Sequence, residues 1–381
     1  MKNLLQACRS GLSSLLRSGQ RPVSGEKKQI LFCAHNELTA GYLSRALPLF
    51  DASRHEVFLS FFPLSHTLSA PGNIAERCGL PYLPADRISR RAWDLILVAD
   101  HVYEQGAMPA GVPVVYMPHG LLVMRLKENG RVHRFDRWAF DAQGHSAYRA
   151  ILFDNESNAS AAARDFPALK EAVKVTGCLG VDRMLALRPE RERFRRELGI
   201  PEGEKAVLIM SSFYPEGLMK KYGRALLDQA ARLQGSGRHF IVSAHPNLWV
   251  EPGFLELMEE QKARGLRVLD PDEPLEPFLV AADAAVSDFT SLSLAFALLG
   301  KPLIYVPIDA GRFDRHSLLV RLAAGLPRLD VPEDMETVLD RAFRDYPHAF
   351  LNETARQIYP HPGEAASRMK KEFEKILRIP S

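Results

Sequence analysis

Two histidines in this chain each close an apolar run, where an imidazole is held firmly and still reaches a reacting group. His119 stands in "VPVVYMPHG" directly before Gly120, and His245 stands in "HFIVSAHP" directly before Pro246. An imidazole changes charge near neutral pH, which suits it to acid–base work. Gly120 lets the backbone approach a substrate closely, and Pro246 ends the ladder and fixes the exit of the chain. The alternative for each is a hydrogen-bonded structural residue at a strand end. One histidine lies in each half of the chain, so across a shared cleft one would serve a donor and the other an acceptor.

A hydroxyl-rich turn gives a third signal, "AADAAVSDFTSLSLAFALLGKPLIYVP". Ser287 and Asp288 close an apolar run, Thr290 is placed to cap the helix that begins next, and Gly300 and Pro302 stop it. Ser291 and Ser293 add hydroxyls in the first turn, where unbonded N–H groups and the helix dipole favour an anion such as a phosphate. Asp, Thr and Ser are also preferred caps with no ligand present, and that reading stays open. Weaker candidates are the loop "HNELTAG" with His35, Thr39 and Gly41, and Glu216 in "SSFYPEG". The basic group Arg125, Lys127, Arg131, His133 and Arg134 suits an anionic acceptor or a solvated face.

The elements that position these residues follow from periodicity. "KQILFCA", "HEVFLSF", "WDLILVAD", "VPVVYMPHG", "RAILFDN" and "AVKVTG" are short apolar runs bounded by turn residues, as buried parallel strands are. After the charged segment "RPERERFRRELG" the pattern restarts with "KAVLIMSS", "HFIVSAHP", "LRVLD", "AAVSD" and "KPLIYVP". Helical segments lie between most of them. The expected fold is α/β: two Rossmann-like domains with parallel sheets facing a central cleft. The expected units are residues 26–186 and 187–381, preceded by a basic segment over 1–25. The stretch "HPGEAASRMKKEFEKILR" predicts one last amphipathic helix, packed on either unit.

Composition agrees and excludes some classes. At 381 residues, 46% hydrophobic and 25% charged, the chain is long enough for two cores. A formal net charge of +3 is too balanced to argue for nucleic acid. The four cysteines, Cys8, Cys33, Cys78 and Cys178, are scattered without metal-ligand spacing, so no metal is expected and the thiols are read as reduced in a cytoplasmic protein. No run approaches the roughly 18 apolar residues that span a bilayer. Leu4, Leu5, Cys8, Leu12, Leu15 and Leu16 fall at helical spacing beside Lys2, Arg9, Arg17 and Arg21. Such a helix over residues 1–24 suits the inner face of the cell membrane, a site on the protein body, or a frayed tail.

The chain resembles the CDP-glycerol glycerophosphotransferase family, the teichoic acid and capsule polymerases of GT-B fold, at four places between about residues 112 and 309. The family's "HG" matches His119 and Gly120, and its "HP" matches His245 and Pro246. Its "TDYSS", apolar helix and "KP" match Ser287, Asp288, Phe289, Thr290 and Ser291, then Lys301 and Pro302. Where the family shows "TGYPRND" this chain has "TGCLGVD" from Thr176 to Asp182, without the arginine.

The resemblance implies transfer of a phospho-alditol from a CDP-linked donor to an acceptor hydroxyl on a glycan or lipid-linked polyol phosphate, in surface-polymer synthesis, with no required cofactor. It implies His119 as base, and His245, Thr290, Ser291 and Ser293 around the donor diphosphate. Ser287 and Asp288 are counted with them as donor-binding residues of the same turn, with Asp288 orienting the loop. It places His35, Thr39, Gly41 and Gly120 on the acceptor side, where a plain turn and helix cap is the alternative. Two further readings are a GT-B glycosyltransferase or epimerase acting on a nucleotide sugar, and a non-catalytic glycan- or nucleotide-binding protein.

Overall fold

The computed structural model of the chain describes residues 27–62, 70–100, 108–123, 135, 139–141, 143–271, 273–288, 290–307, 313 and 317–378. The segment 1–24 and the basic group from Arg125 to Arg134 lie outside the described residues.

The first sheet is built from β1 (Lys28–Ala34), β2 (His55–Phe61), β3 (Leu95–Val98), β4 (Val114–Tyr116), β5 (Ala150–Phe153) and β6 (Val173–Val175). Its order is β2-β1-β3-β4-β5-β6, and every pairing is parallel. Helices α1 (Glu37–Ser44), α2 (Pro71–Arg77) and α3 (Glu156–Asp165) connect its strands. Both faces are covered, which is why these strands read as continuous apolar runs. Along β1, Ile30, Phe32 and Ala34 enter one core while Leu31 and Cys33 enter the other.

Two helices, α4 (Leu179–Ala186) and α5 (Arg191–Glu197), lead into the second sheet. That sheet holds β7 (Lys205–Met210), β8 (Arg238–Ser243), β9 (Arg267–Val268), β10 (Ala284–Ser287) and β11 (Leu303–Tyr305). Its order is β11-β10-β7-β8-β9, again all parallel. Between its strands run α6 (Leu218–Lys221), α7 (Gly223–Leu233), α8 (Phe254–Ala263), α9 (Glu276–Ala281) and α10 (Ser291–Ala297). After β11 come α11 (Leu318–Ala324), α12 (Met335–Arg344), α13 (His348–Ile358) and α14 (Ala365–Arg378).

Strand order reverses between β1 and β3 in the first sheet and between β7 and β10 in the second. At such points the loops beyond the carboxyl ends of the strands part and leave a crevice for a ligand. Both histidines and the hydroxyl-rich turn lie at carboxyl ends.

The last helix, α14, returns to the first sheet. Ala365, Met369, Phe373 and Ile376, at helical spacing, are buried in the same core as Ile30 and Phe32. Phe373 stacks on Phe50 with ring centroids 5.4 Å apart and planes 10° from parallel.

The "TGCLGVD" segment receives this returning chain. Gly177 has φ +88, and a Cβ there would stand 2.9 Å from the Tyr359 hydroxyl. The Tyr359 hydroxyl accepts from Cys178 N at 2.9 Å and lies 2.8 Å from Asp182 Oδ1, to which it donates. Asp182 also accepts from Gly363 N at 2.7 Å and Ala365 N at 2.9 Å, and so caps α14. Removing the carboxylate in Asp182→Ala leaves those donors unmatched and is expected to lower unfolding free energy by about 1–3 kcal/mol. Tyr359→Phe is expected to cost about 1 kcal/mol. Urea unfolding at neutral pH checks both, and wild-type midpoints would remove the clamp.

Candidate active site

His119 follows β4 and is half-buried. Its Nδ1 lies 3.3 Å from the carbonyl oxygen of Ala99, the residue after β3. A carbonyl only accepts, so Nδ1 carries a proton, and in the neutral ring the lone pair sits on Nε2. The ring meets the edge of Tyr42 at 6.0 Å, and the Arg45 guanidinium lies 4.4 Å over the other ring of that pair, Tyr42. Burial pushes the Tyr42 phenol up to about 12, against the opposing pull of Arg45. Arg45 in turn pairs with Glu276 at the start of α9, joining the first half to the second beside Tyr42.

His245 follows β8, and its Nδ1 accepts from Asn247 N at 3.1 Å. A backbone N–H only donates, so here the proton of the neutral ring is on Nε2. Burial, and second to it the proximity of His119 when that ring is protonated, together lower its pKa to about 4. His245 is therefore a neutral Nε2–H donor through the physiological range. The ring of Phe213, 38% exposed on the loop after β7, lies 4.5 Å from it.

The hydroxyl-rich turn divides into two groups. Thr290 caps α10, accepting from Leu292 N at 3.0 Å and Ser293 N at 3.1 Å. Thr290 and Ser291 keep partial exposure. Ser287, Asp288 and Ser293 are buried and turned inward. Ser293 Oγ donates to the Asp288 carbonyl at 2.6 Å and shares a bond with Ser287 Oγ at 2.8 Å. The Asp288 carboxylate accepts from Ser212 N, Ser212 Oγ and Leu218 N, at 2.9, 2.9 and 2.7 Å. Asp288 thus binds the turn to the loop after β7, across the strand reversal of the second sheet, while Ser287 Oγ donates to the Met210 carbonyl at the end of β7 and Ser293 closes the turn on itself.

The halves meet at this turn. A Cβ on Gly120 would lie 3.7 Å from Ser291 Oγ and 4.0 Å from the Tyr42 hydroxyl. The "HG" loop and the "SDFTS" turn therefore face each other across a narrow gap, with His119 and His245 at its edges.

Other expected residues serve the framework. Thr39 is buried in a capping box with Asn36, donating to the Asn36 carbonyl and accepting from His35 N and Asn36 N. The structure gives Thr39 to the cap of α1 rather than to the cleft, because those N–H groups have no helical partner. His35 is buried against Phe62 with ring centroids 5.3 Å apart. Gly41 faces open space. Glu216 is half-buried on the loop after β7. Lys301, the motif lysine, donates to the carbonyls of Val280 at 2.5 Å and Ala282 at 2.7 Å and closes the end of α9. Burial, with Arg191 nearby, lowers it to about 7. Among the described residues no group of three or more His, Cys, Asp or Glu is placed to hold a metal ion. No helix among them is long and apolar enough to cross a membrane.

The sequence profile described as CDP-Glycerol:Poly(glycerophosphate) glycerophosphotransferase matches residues 126–321, more than half of the chain. The chain belongs to this family. Solved structures extend the likeness beyond the matched segment of the glycerophosphotransferase profile. The wall teichoic acid polymerase TagF superposes with a TM-score of 0.68 at 13% identity, covering 99% of this chain and 95% of that one. A TagF variant soaked with CDPG gives 0.64 at 12%, over 93% and 89%. UDP-GlcNAc 2-epimerase from Neisseria meningitidis, bound to UDP-GlcNAc, gives 0.57 at 12%, over 91% and 100%. At these identities the structures establish the GT-B-like fold of this glycerophosphotransferase family member. No curated protein sequence matches the chain.

Asp288 gives a pH test of the turn. Burial pushes its carboxyl up to about 6 against the bonds from Leu218 and Ser212, so the folded state holds the proton more tightly than the unfolded chain. Its contribution to stability is fully present below about pH 4 and is lost as pH rises through about 6. Asp288→Asn removes that dependence. The difference in unfolding free energy is expected to shift toward the variant by about 3 kcal/mol between pH 4 and 7. Parallel pH–stability curves would show that Asp288 does not titrate in this window.

Proposed function

We propose that this protein transfers a glycerol phosphate, or a similar phospho-alditol, from a CDP-linked donor to an acceptor hydroxyl of a surface polymer. The observation that carries the reading is the opposed backbone partners of two imidazoles at one cleft, the Ala99 carbonyl at His119 Nδ1 and the Asn247 amide at His245 Nδ1, which in neutral rings leave a lone pair on His119 Nε2 and a proton on His245 Nε2. Nε2 of His119 takes the proton from the acceptor hydroxyl as its oxygen attacks the phosphorus that bears the alditol. The bond from that phosphorus to the CMP phosphate breaks, and CMP leaves with the electron pair. His245 donates a hydrogen bond to the diphosphate, and Thr290 and Ser291 border the same site. Family membership supports the reaction class, and the inward turn of Ser287, Asp288 and Ser293 narrows the donor contacts to the residues at the gap.

Phe213 completes the donor site in this reading. Its exposed ring beside His245 offers a face to the nucleobase while the histidine holds the phosphates. The family's arginine is missing from "TGCLGVD", which keeps a nucleotide-sugar donor as the second reading. Thermal shift with CDP-glycerol, CDP-ribitol, and CMP- and UDP-linked sugars separates them, because a donor at 100 times its Kd stabilises the fold by about 2.7 kcal/mol.

Two outcomes are expected on the purified full chain. His119→Ala is expected to slow CMP release by about 100-fold or more while the Kd for CDP-glycerol stays within about threefold, whereas His245→Ala weakens donor binding about tenfold and also slows release. Calorimetry and a CMP-release assay measure both, and near-normal turnover in either variant would sink the assigned roles. Phe213→Ala is expected to weaken CDP by about fivefold or more and leave competition by inorganic pyrophosphate unchanged. Equal loss for both ligands would place the ring away from the base.

A further inference from the structure

The loop that carries His119 is gripped from below by residues outside every motif. Asp154 follows β5 and is 4% exposed. Its Oδ2 accepts from Leu122 N at 3.0 Å, and its Oδ1 accepts from Asn158 Nδ2 at 3.0 Å. The same Asn158 amide donates to the Leu122 carbonyl at 3.1 Å. Both main-chain polar groups of Leu122, three residues beyond His119, are thereby held by side chains of the next strand's turn.

The grip is anchored in turn. Asn158 N donates to Asn155 Oδ1 at 2.9 Å, and Asn155 Nδ2 donates to the Ile358 carbonyl at 3.0 Å. A buried carboxylate is costly unless well bonded, and burial pushes Asp154 up to about 6. A neutral side chain would close an ordinary turn at lower cost. The second half repeats the device: Asp288 follows β10 and grips Ser212 and Leu218 on the loop after the neighbouring strand β7. In each sheet a buried aspartate at a strand end fixes the loop of the adjacent strand, and each such pair borders the cleft.

We propose that Asp154 and Asn158 are positioning residues for His119. They fix the height of the "HG" loop so that Nδ1 stays on the Ala99 carbonyl and the Nε2 lone pair faces the acceptor. The inference rests on His119 acting as the base, yet its first readout needs no turnover. Asp154→Asn sets an amide against the Asn158 donor and loosens Leu122. Asn158→Ala removes the bond to the Leu122 carbonyl while keeping the Asp154 bond to Leu122 N, and it carries the test if Asp154→Asn does not fold.

The test uses the full chain with ¹⁵N-labelled histidine, the ring nitrogens of His119 being assigned by their loss in His119→Gln. The wild type is expected to show the Nδ1–H tautomer, and the variants a mixture with Nε2–H. CMP release is expected to fall about tenfold, with the Kd and stoichiometry of CDP-glycerol binding within about twofold. A purely structural defect would lower the stoichiometry along with turnover. An unchanged tautomer in a folded variant, an Nε2–H tautomer in the wild type, or unchanged turnover despite a shifted tautomer would overturn the proposal. If the tautomer shifts but the wild type releases no CMP from any donor, the positioning role stands and the proposed reaction falls.

Discussion

A main-chain carbonyl can only accept a hydrogen bond and a main-chain amide can only donate one, and the cleft depends on that asymmetry. Ala99 offers the first to His119, and Asn247 offers the second to His245. Two identical side chains thus present opposite ring nitrogens to their backbone partners, which in the proposed reaction makes one a base and the other a donor. The Ala99 carbonyl directly follows β3, and the Asn247 amide belongs to the short turn Pro246–Leu248 that follows β8. Burial of His245 then keeps it neutral, so its role as donor survives well below neutral pH.

Rigid strands alone would leave the connecting loops free to drift, and the buried carboxylates answer that. Asp154 and Asp288 each reach sideways from one strand end to the loop of the next. Arg45 and Glu276 link the two halves beside Tyr42, and Tyr42 supports the ring of His119. The loops that carry the candidate side chains are therefore tied down by separate polar contacts in each half and between them.

Much of this was legible in the sequence, for a physical reason. Parallel strands buried on both faces produce apolar runs, and the residues that end them stand at the cleft, so His119, His245 and Thr290 could be read from local pattern alone. Orientation was harder. Ser287 and Ser293 share the hydroxyl chemistry of Ser291, and only the pairing of β10 with β7 turns them inward. Asp154 was visible as the end of "ILFD", but its partner Leu122 lies 32 residues earlier, and no local signal announces that bond. Tyr359 and the cap by Asp182 were hidden for the same reason, their partners being 177 residues apart. The motif lysine, Lys301, shows the reverse case, a residue recognisable by pattern whose place is a helix end away from the gap.

The return of α14 to the first sheet bears on how the chain is made. The core face formed by Ile30, Phe32 and Phe50 is synthesised early, and the helix that covers it with Met369 and Phe373 is synthesised more than 300 residues later. During synthesis at about 5–20 residues per second, that face waits tens of seconds for its cover. An uncovered apolar sheet face is the kind of surface that holdase chaperones bind. The first half therefore reaches its final packing only after the second, and the cleft between them is completed last.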